Sequence, residues 1–176
     1  LVRYGDTMVL VAATAAPGSG AGADFFPLSV FYVEKAYAAG RIPGGFFKRE
    51  ARLSDSETLI SRIIDRPLRP SFHENYLAET LIVATVLSHD LEFPSDVAAM
   101  IGASAALSVS DIPLLQPIGG IRVGMIDGEF ITNPDPDELT RSQMNIFMAG
   151  SRDAILMVEG EANEVSESVM LDALWY

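Results

Sequence analysis

Eight cations stand close together between Lys35 and Arg69: Lys35, Arg41, Lys48, Arg49, Arg52, Arg62, Arg66 and Arg69. Four carboxylates share the stretch, Glu50, Asp55, Glu57 and Asp65, so it carries a net charge of +4 in a chain whose total is −12. A basic island in an acidic protein is an electrostatic footprint for an anion. Its middle narrows the choice. Phe46 and Phe47 sit beside Lys48 and Arg49, directly after Pro43-Gly44-Gly45. Rings next to cations on a glycine-rich turn suit single-stranded nucleic acid, whose bases stack on aromatic faces while its phosphates meet the charges. An ordinary alternative is open for each group. The two rings can plug a loop from below, and Arg62 and Arg66 can pair with Asp65, Glu57 or acids elsewhere.

Other reactive constellations are sparse. No Walker loop, H-E-x-x-H or G-x-S-x-G pattern occurs. There is no cysteine, which excludes a disulfide framework, a thiolate nucleophile and a thiolate metal site. His73 precedes Glu74 and His89 precedes Asp90, but sequence adjacency does not orient a base against an acid. Asp135, Asp137 and Glu138 offer hard oxygens of the kind Mg²⁺ takes. Proline-spaced acids at a helix start are read first as caps.

These residues need elements to hold them. Ser54-Asp55-Ser56-Glu57 is a capping box. It opens a helix in which Leu59, Ile60, Ile63 and Ile64 recur at helical spacing. Arg62 and Arg66, four residues apart, share one face of it, and Pro67 is expected to stop it. Strands are expected at Thr7–Ala13, Pro27–Val33 and Leu81–Leu87, the last strongly β-branched. Ser95-Asp96 is expected to cap a helix rich in small residues, suited to close packing on a sheet. Ile118–Ile126 and Glu129–Thr132 flank Asp127-Gly128, the signature of a two-residue hairpin. A short helix near Asp137–Arg141, strands at Met144–Ala149 and Ile155–Glu159, and a helix over Glu164–Trp175 complete the pattern. At 176 residues and 49% hydrophobic content, the chain has the length of one domain with a real core. The fold class is α+β, mixed sheets covered by a few helices. No apolar run is long enough for a membrane span.

Several runs, in order along the chain, resemble the first RNase PH-like core of the polynucleotide phosphorylase (polyribonucleotide nucleotidyltransferase) family. They are D-F-F-P-L-S-V from Asp24, A-A-G-R-I-P-G-G-F-F-K-R-E from Ala38, E-T-L-I-S-R-I-I-D-R-P-L-R-P from Glu57, M-I-G-A-S-A-A-L-S from Met100, P-I-G-G-I-R-V-G from Pro117, and M-A-G from Met148. The resemblance implies an RNase PH-like core over residues 1–176, the first core of a larger chain and truncated at both ends. It implies a share in phosphorolytic 3′-to-5′ exoribonuclease activity, in which inorganic phosphate converts single-stranded RNA reversibly to nucleoside diphosphates. It also implies a homotrimeric ring, a Mg²⁺ cofactor in the parent enzyme, no membrane partner, and a cytoplasmic or organellar setting.

By the same resemblance, Phe46, Phe47, Lys48 and Arg49 match the family's Phe-Phe-Arg-Arg loop at the neck of the ring's central channel. Lys48 departs from the usual arginine, keeping the charge but losing the planar fork. Arg52, Arg62 and Arg66 match basic positions along the RNA path, with ion pairing between cores as their alternative role. The catalytic pattern of the family's second core is not met here. Its phosphate-binding serine run falls on Ala103-Ser104, and its two metal carboxylates fall on Gln143 and Asn145, amides that bind a hard cation poorly. Asp135 and Asp137 remain alternative ligands. The expectation is a core without catalytic or metal residues of its own, whose Mg²⁺ site lies outside this chain. Two further functions are compatible: a catalytically silent ring subunit of the exosome type that binds RNA, and a domain whose basic island takes a metabolite anion such as citrate or a nucleotide.

Overall fold

The computed structural model describes residues 1–17, 24–44 and 52–176. They form two four-stranded sheets with helices between and outside them. The first sheet contains β1 (Val2–Tyr4), β2 (Thr7–Ala15), β3 (Leu28–Glu34) and β4 (Thr80–Ser88), in the order β1-β2-β4-β3. β2 is antiparallel to both β1 and β4, whereas β3 and β4 are parallel. A parallel pair needs a crossover, and here it is α1 (Asp55–Leu68). The second sheet is wholly antiparallel. Its strands are β5 (Gly119–Ile126), β6 (Glu129–Thr132), β7 (Met144–Gly150) and β8 (Ile155–Ala162), in the order β6-β5-β7-β8.

Between the sheets lies α2 (Ser95–Ser108), which packs on β1, β2 and β4 from one side and on β5 from the other. That position explains its composition, because a helix buried over most of its surface must be apolar or small over most of it; Ile101, Ala105 and Ser108 form its exposed stripe. Its close contacts need glycine on both sides. A Cβ on Gly102 of α2 would come within 2.6 Å of Val11 on β2, and one on Gly120 of β5 within 2.7 Å of Met100 on α2. The main core joins Val9, Tyr32, Ile64, Leu68, Ile82, Met100, Leu107 and Phe147, all essentially inaccessible. Each such side chain contributes roughly 1.5–3 kcal/mol by leaving water. A second, smaller core packs Ala173 of α4 (Glu167–Trp175) against Val123, Met125, Met144, Ile146 and Met148 of the second sheet.

Most of the expected elements are present. The Asp127-Gly128 hairpin has both central residues at positive φ, 52° and 82°, as a type I′ turn requires. Two expectations fail. Pro67 does not stop α1, which continues through Leu68 into a 3-10 turn at Arg69–Ser71. So near the C-terminus a proline deletes a single helical bond. The Arg69 N–H still reaches the Asp65 carbonyl, and Pro67 and Leu68 gain burial. Nor do Ser95 and Asp96 cap α2. Its N-cap is Pro94, with no side-chain cap bond; the Ser95 hydroxyl is engaged with Tyr32, and Asp96, inside the first turn, accepts the adjacent Val97 N–H and pairs with Arg122. The helix at Asp137–Arg141 forms as α3 (Pro136–Arg141), and α4 starts after its Ser166 cap, later than Glu164. Among the described residues no helix is long and apolar enough to cross a membrane.

Candidate nucleic-acid interface

Parallel β3 and β4 end together, at Glu34 and Ser88. Antiparallel β2 starts at the same end, bringing the Gly5-Asp6 turn beside them. Both long helices begin there, α1 at its Ser54 cap and α2 at Pro94. This end therefore collects two helix N-termini, whose unpaired N–H groups and dipoles favour negative charge. A 3-10 turn, Ala36–Ala39, seats on it through the His89 N–H, which donates to the Ala38 carbonyl at 3.1 Å. The turn leaves Tyr37 58% exposed and leads to Arg41, also exposed. The chain returns at Arg52, exposed two residues before the Ser54 cap.

Beneath this end the polar groups are tied together. Tyr32 is fully buried; its hydroxyl donates to Glu34 Oε1 at 2.9 Å and accepts from the Ser95 hydroxyl at 2.8 Å. Burial pushes its phenol well above the ordinary tyrosine value, against the opposing Ser95 hydrogen bond, so it stays neutral. Asp90 receives the backbone N–H groups of Asp6, Glu92 and Phe93 and the Thr7 hydroxyl. Burial works to raise its pKa, but these donors outweigh it and hold the carboxyl well below the usual range. His89 is not its partner; its Nδ1 accepts from the Leu91 N–H, as His73 Nδ1 accepts from the Asn75 N–H. Both histidines serve local turns, and neither His–acid couple forms.

Of the seven residues expected on an RNA path, Phe46, Phe47, Lys48 and Arg49 lie outside the described residues. Arg52 lies at the end just described. Arg62 is exposed on α1 and has no acidic partner among the described residues. Arg66, on the same face, is ion-paired with Glu159 of β8, and both side chains are about half in solvent. Arg69 is structural: it donates to the carbonyls of Phe26 and Leu28 and pairs with Asp65.

The amide positions form a different site. Asn145 accepts through Oδ1 from Arg122, whose guanidinium also pairs with Asp96 at the start of α2. The Arg122 side chain is 16% exposed and that of Asp96 8%, and the guanidinium lies over Phe147, 5.5 Å from the ring centroid. Gln143 and Asn145 line a cleft of about 400 Å³ with Glu161. A neutral amide already bound to a guanidinium is a poor seat for a divalent cation. Among the described residues no group of three or more histidine or carboxylate ligands gathers. Ser104 is buried, and its hydroxyl accepts the Ile118 N–H at 2.7 Å, which commits it to the fold. Asp135 caps α3 in a capping box with Glu138.

Sequence reasoning missed the long-range bonds by which three residues organise these sites. Arg122 and Asp96 meet across 26 positions, a pairing no local pattern announces. Glu57 was legible as a helix cap, but its second bond, to the Glu34 N–H, spans 23 positions.

The model described as "3' exoribonuclease family, domain 1" matches residues 1–113, and that described as "3' exoribonuclease family, domain 2" matches residues 116–175. The chain is 57% identical over 176 residues to a polyribonucleotide nucleotidyltransferase of Geotalea uraniireducens, covering 100% of this chain and 25% of that protein. A polyribonucleotide nucleotidyltransferase of Pelobacter propionicus is 58% identical over the same shares. The chain thus spans about a quarter of the length of the curated relatives it matches. A crystal structure of rice (Oryza sativa) Rrp46 superposes with a TM-score of 0.75 at 18% identity, covering 98% of this chain and 77% of that one. That likeness establishes an RNase PH-like α+β fold.

Proposed function

The chain belongs to the 3′ exoribonuclease family, and from that premise we propose that it is the RNA-guiding core of a phosphorolytic 3′-to-5′ exoribonuclease. In the parent reaction an oxygen of inorganic phosphate attacks the 3′-terminal phosphodiester phosphorus. The bond to the upstream 3′ oxygen breaks, leaving a nucleoside diphosphate and an RNA one nucleotide shorter; the reverse reaction polymerises. Residues 1–176 act as one RNase PH-like core, and the assembly is a homotrimer. The names of the bacterial relatives support this activity, and the setting proposed with it is cytoplasmic.

The observation that carries the guiding role is one of placement. The basic stretch enters and leaves the fold at the end where two helix N-termini meet, with Arg41 and Arg52 exposed there. RNA held upstream positions the terminal linkage for attack. In that role Phe46 and Phe47 stack bases, Lys48, Arg49 and Arg52 meet phosphates, and Arg62 and Arg66 extend the path along α1. The family's Mg²⁺ supplies charge stabilisation to the transferred phosphoryl group. The residues at the family's metal positions do not fit it, since Asn145 is held by Arg122, and the reading sets the metal site outside residues 1–176.

The test is RNA affinity of the full chain, with Phe47→Ala/Arg49→Ala beside the unaltered protein, at two salt concentrations, and phosphate-dependent release of nucleoside diphosphates from poly(A). Weaker binding with a shallower salt dependence is expected of the double variant. Unchanged affinity at both salts overturns the guiding role.

A further inference from the structure

We propose that the cleft beside Asn145 is a guanine-binding site, in which Asn145 and Glu161 together read the hydrogen-bonding edge of the base. The cleft lies where β7 and β8 meet the end of α3, and Leu139, Thr140, Gln143, Asn145, Glu161 and Asn163 line it. Its volume of about 400 Å³ falls among those of small-molecule sites. The guiding role does not use it.

Register and hydrogen bonding fix what the cleft presents. Asn145 and Glu161 are directly opposed in the pairing of β7 with β8, so they share a face of the sheet with their Cβ atoms roughly 5 Å apart. Arg122 donates to the Asn145 side-chain oxygen, and a guanidinium has no acceptor. The amide is therefore locked, with Oδ1 turned to Arg122 and the Nδ2 N–H groups left over. Glu161 is exposed, and among the described residues neither it nor the side chains of Gln143 and Asn163 have a hydrogen-bond or charge partner. Glu159, two residues back on β8, is by contrast spent on Arg66.

The result is a row of one donor and two acceptors, the Asn145 N–H followed by the two carboxylate oxygens of Glu161. Guanine carries the complement on one edge, O6 as acceptor and then N1–H and N2–H as donors. The other RNA bases have no two adjacent N–H donors, so each meets the carboxylate only once. Charge points the same way. Arg122 is neutralised by Asp96, which leaves the Glu161 carboxylate as the unpaired charge of the cleft. It repels a phosphate or an acidic metabolite, and a hard cation would meet nitrogen at Asn145 where it needs oxygen. A neutral base that brings donors is the ligand class that remains, and its bonds to a carboxylate are charge-assisted. Free guanosine and a guanine within RNA offer this edge alike.

The experiment titrates the full chain with guanosine, inosine and adenosine by calorimetry, and in a second arm with labelled oligo(A) and the same oligomer carrying one central guanosine. Guanosine is expected to bind with a Kd on the order of 0.1 mM. Inosine, which lacks the 2-amino group, is expected to bind about tenfold more weakly, and adenosine more weakly still. Glu161→Gln sets an amide N–H in place of one acceptor, and Asn145→Asp keeps an oxygen on Arg122 but loses the donor; each should weaken guanosine binding about tenfold. Glu161→Gln, at an exposed position, should leave the melting temperature unchanged. A preference for the guanosine-bearing oligomer that Glu161→Gln erases assigns the site to RNA. Equal binding of the two oligomers beside guanosine binding assigns it to the free nucleoside, an outcome independent of the guiding role. Guanosine that binds Glu161→Gln as well as the original protein overturns the proposal, as does inosine equal to guanosine, or the absence of both guanosine binding and an oligomer preference.

Discussion

Arg122 donates to the side-chain oxygen of Asn145 while pairing with Asp96, so a fixed guanidinium stands beside the amide that the family pattern would make a metal carboxylate. Restoring carboxylates alone therefore does not restore a metal site. In Gln143→Asp/Asn145→Asp the new carboxylate at position 145 has a cation at hand in Arg122, and like charges exclude a second. Titration calorimetry with Mg²⁺ at millimolar concentration should show no binding to these residues. Stoichiometric binding by the double variant would show that Arg122 does not fill the role of the cation.

The same guanidinium has a structural load. Asp96 is nearly buried, and Arg122 is the side-chain cation paired with it. Removing one partner of a buried ion pair leaves the other charge uncompensated, at a cost of about 3 kcal/mol or more. Arg122→Met should therefore lower the melting temperature by roughly 6–12 °C in a chain of this size. Arg122→Met/Asp96→Leu, which removes both charges, should recover most of that loss. A single variant that melts like the original protein would mean that water already satisfies Asp96.

Asp90 gives the fold a pH dependence. Its pKa lies below its value near 4 in an unfolded chain. The stabilisation it gives is therefore complete above that value and lost as pH falls toward the folded pKa. Asp90→Asn should melt lower than the original protein at pH 7, since an amide accepts fewer of the four donors. The gap should narrow as pH drops below about 4. A gap that is constant with pH would assign the loss to geometry rather than to charge.

Local chemistry was legible where local bonds decide the outcome. The Ser54 capping box, the Asp127-Gly128 turn and the Asp135 cap all close over a few residues, and the sequence announces each of them. What failed to show depends on partners far along the chain. Ser95 and Asp96 look like caps, but Tyr32 and Arg122 claim their side chains. Pro67 looks like a stop, but the main core holds the last turn of α1 in place. The basic stretch was legible as composition. The division of its arginines into exposed, ion-paired and structural members was not, because Arg62, Arg66 and Arg69 differ only in what the fold sets against them.

That division makes a last prediction. Arg62 has no acidic partner among the described residues, whereas Arg66 is paired with Glu159. An exposed pair of this kind is worth little to stability, so Glu159→Ala should leave the melting temperature nearly unchanged. It should still matter to RNA. With Glu159 removed, Arg66 is released to meet phosphate, and affinity should rise, with the salt slope steepening by up to roughly 0.7. Arg62→Ala should move both quantities the other way. Measured by fluorescence anisotropy across a salt series, opposite signs for the two variants place this face of α1 on the RNA path. If neither variant moves the slope, the path ends before Arg62, and the pairing of Arg66 with Glu159 only joins α1 to the second sheet.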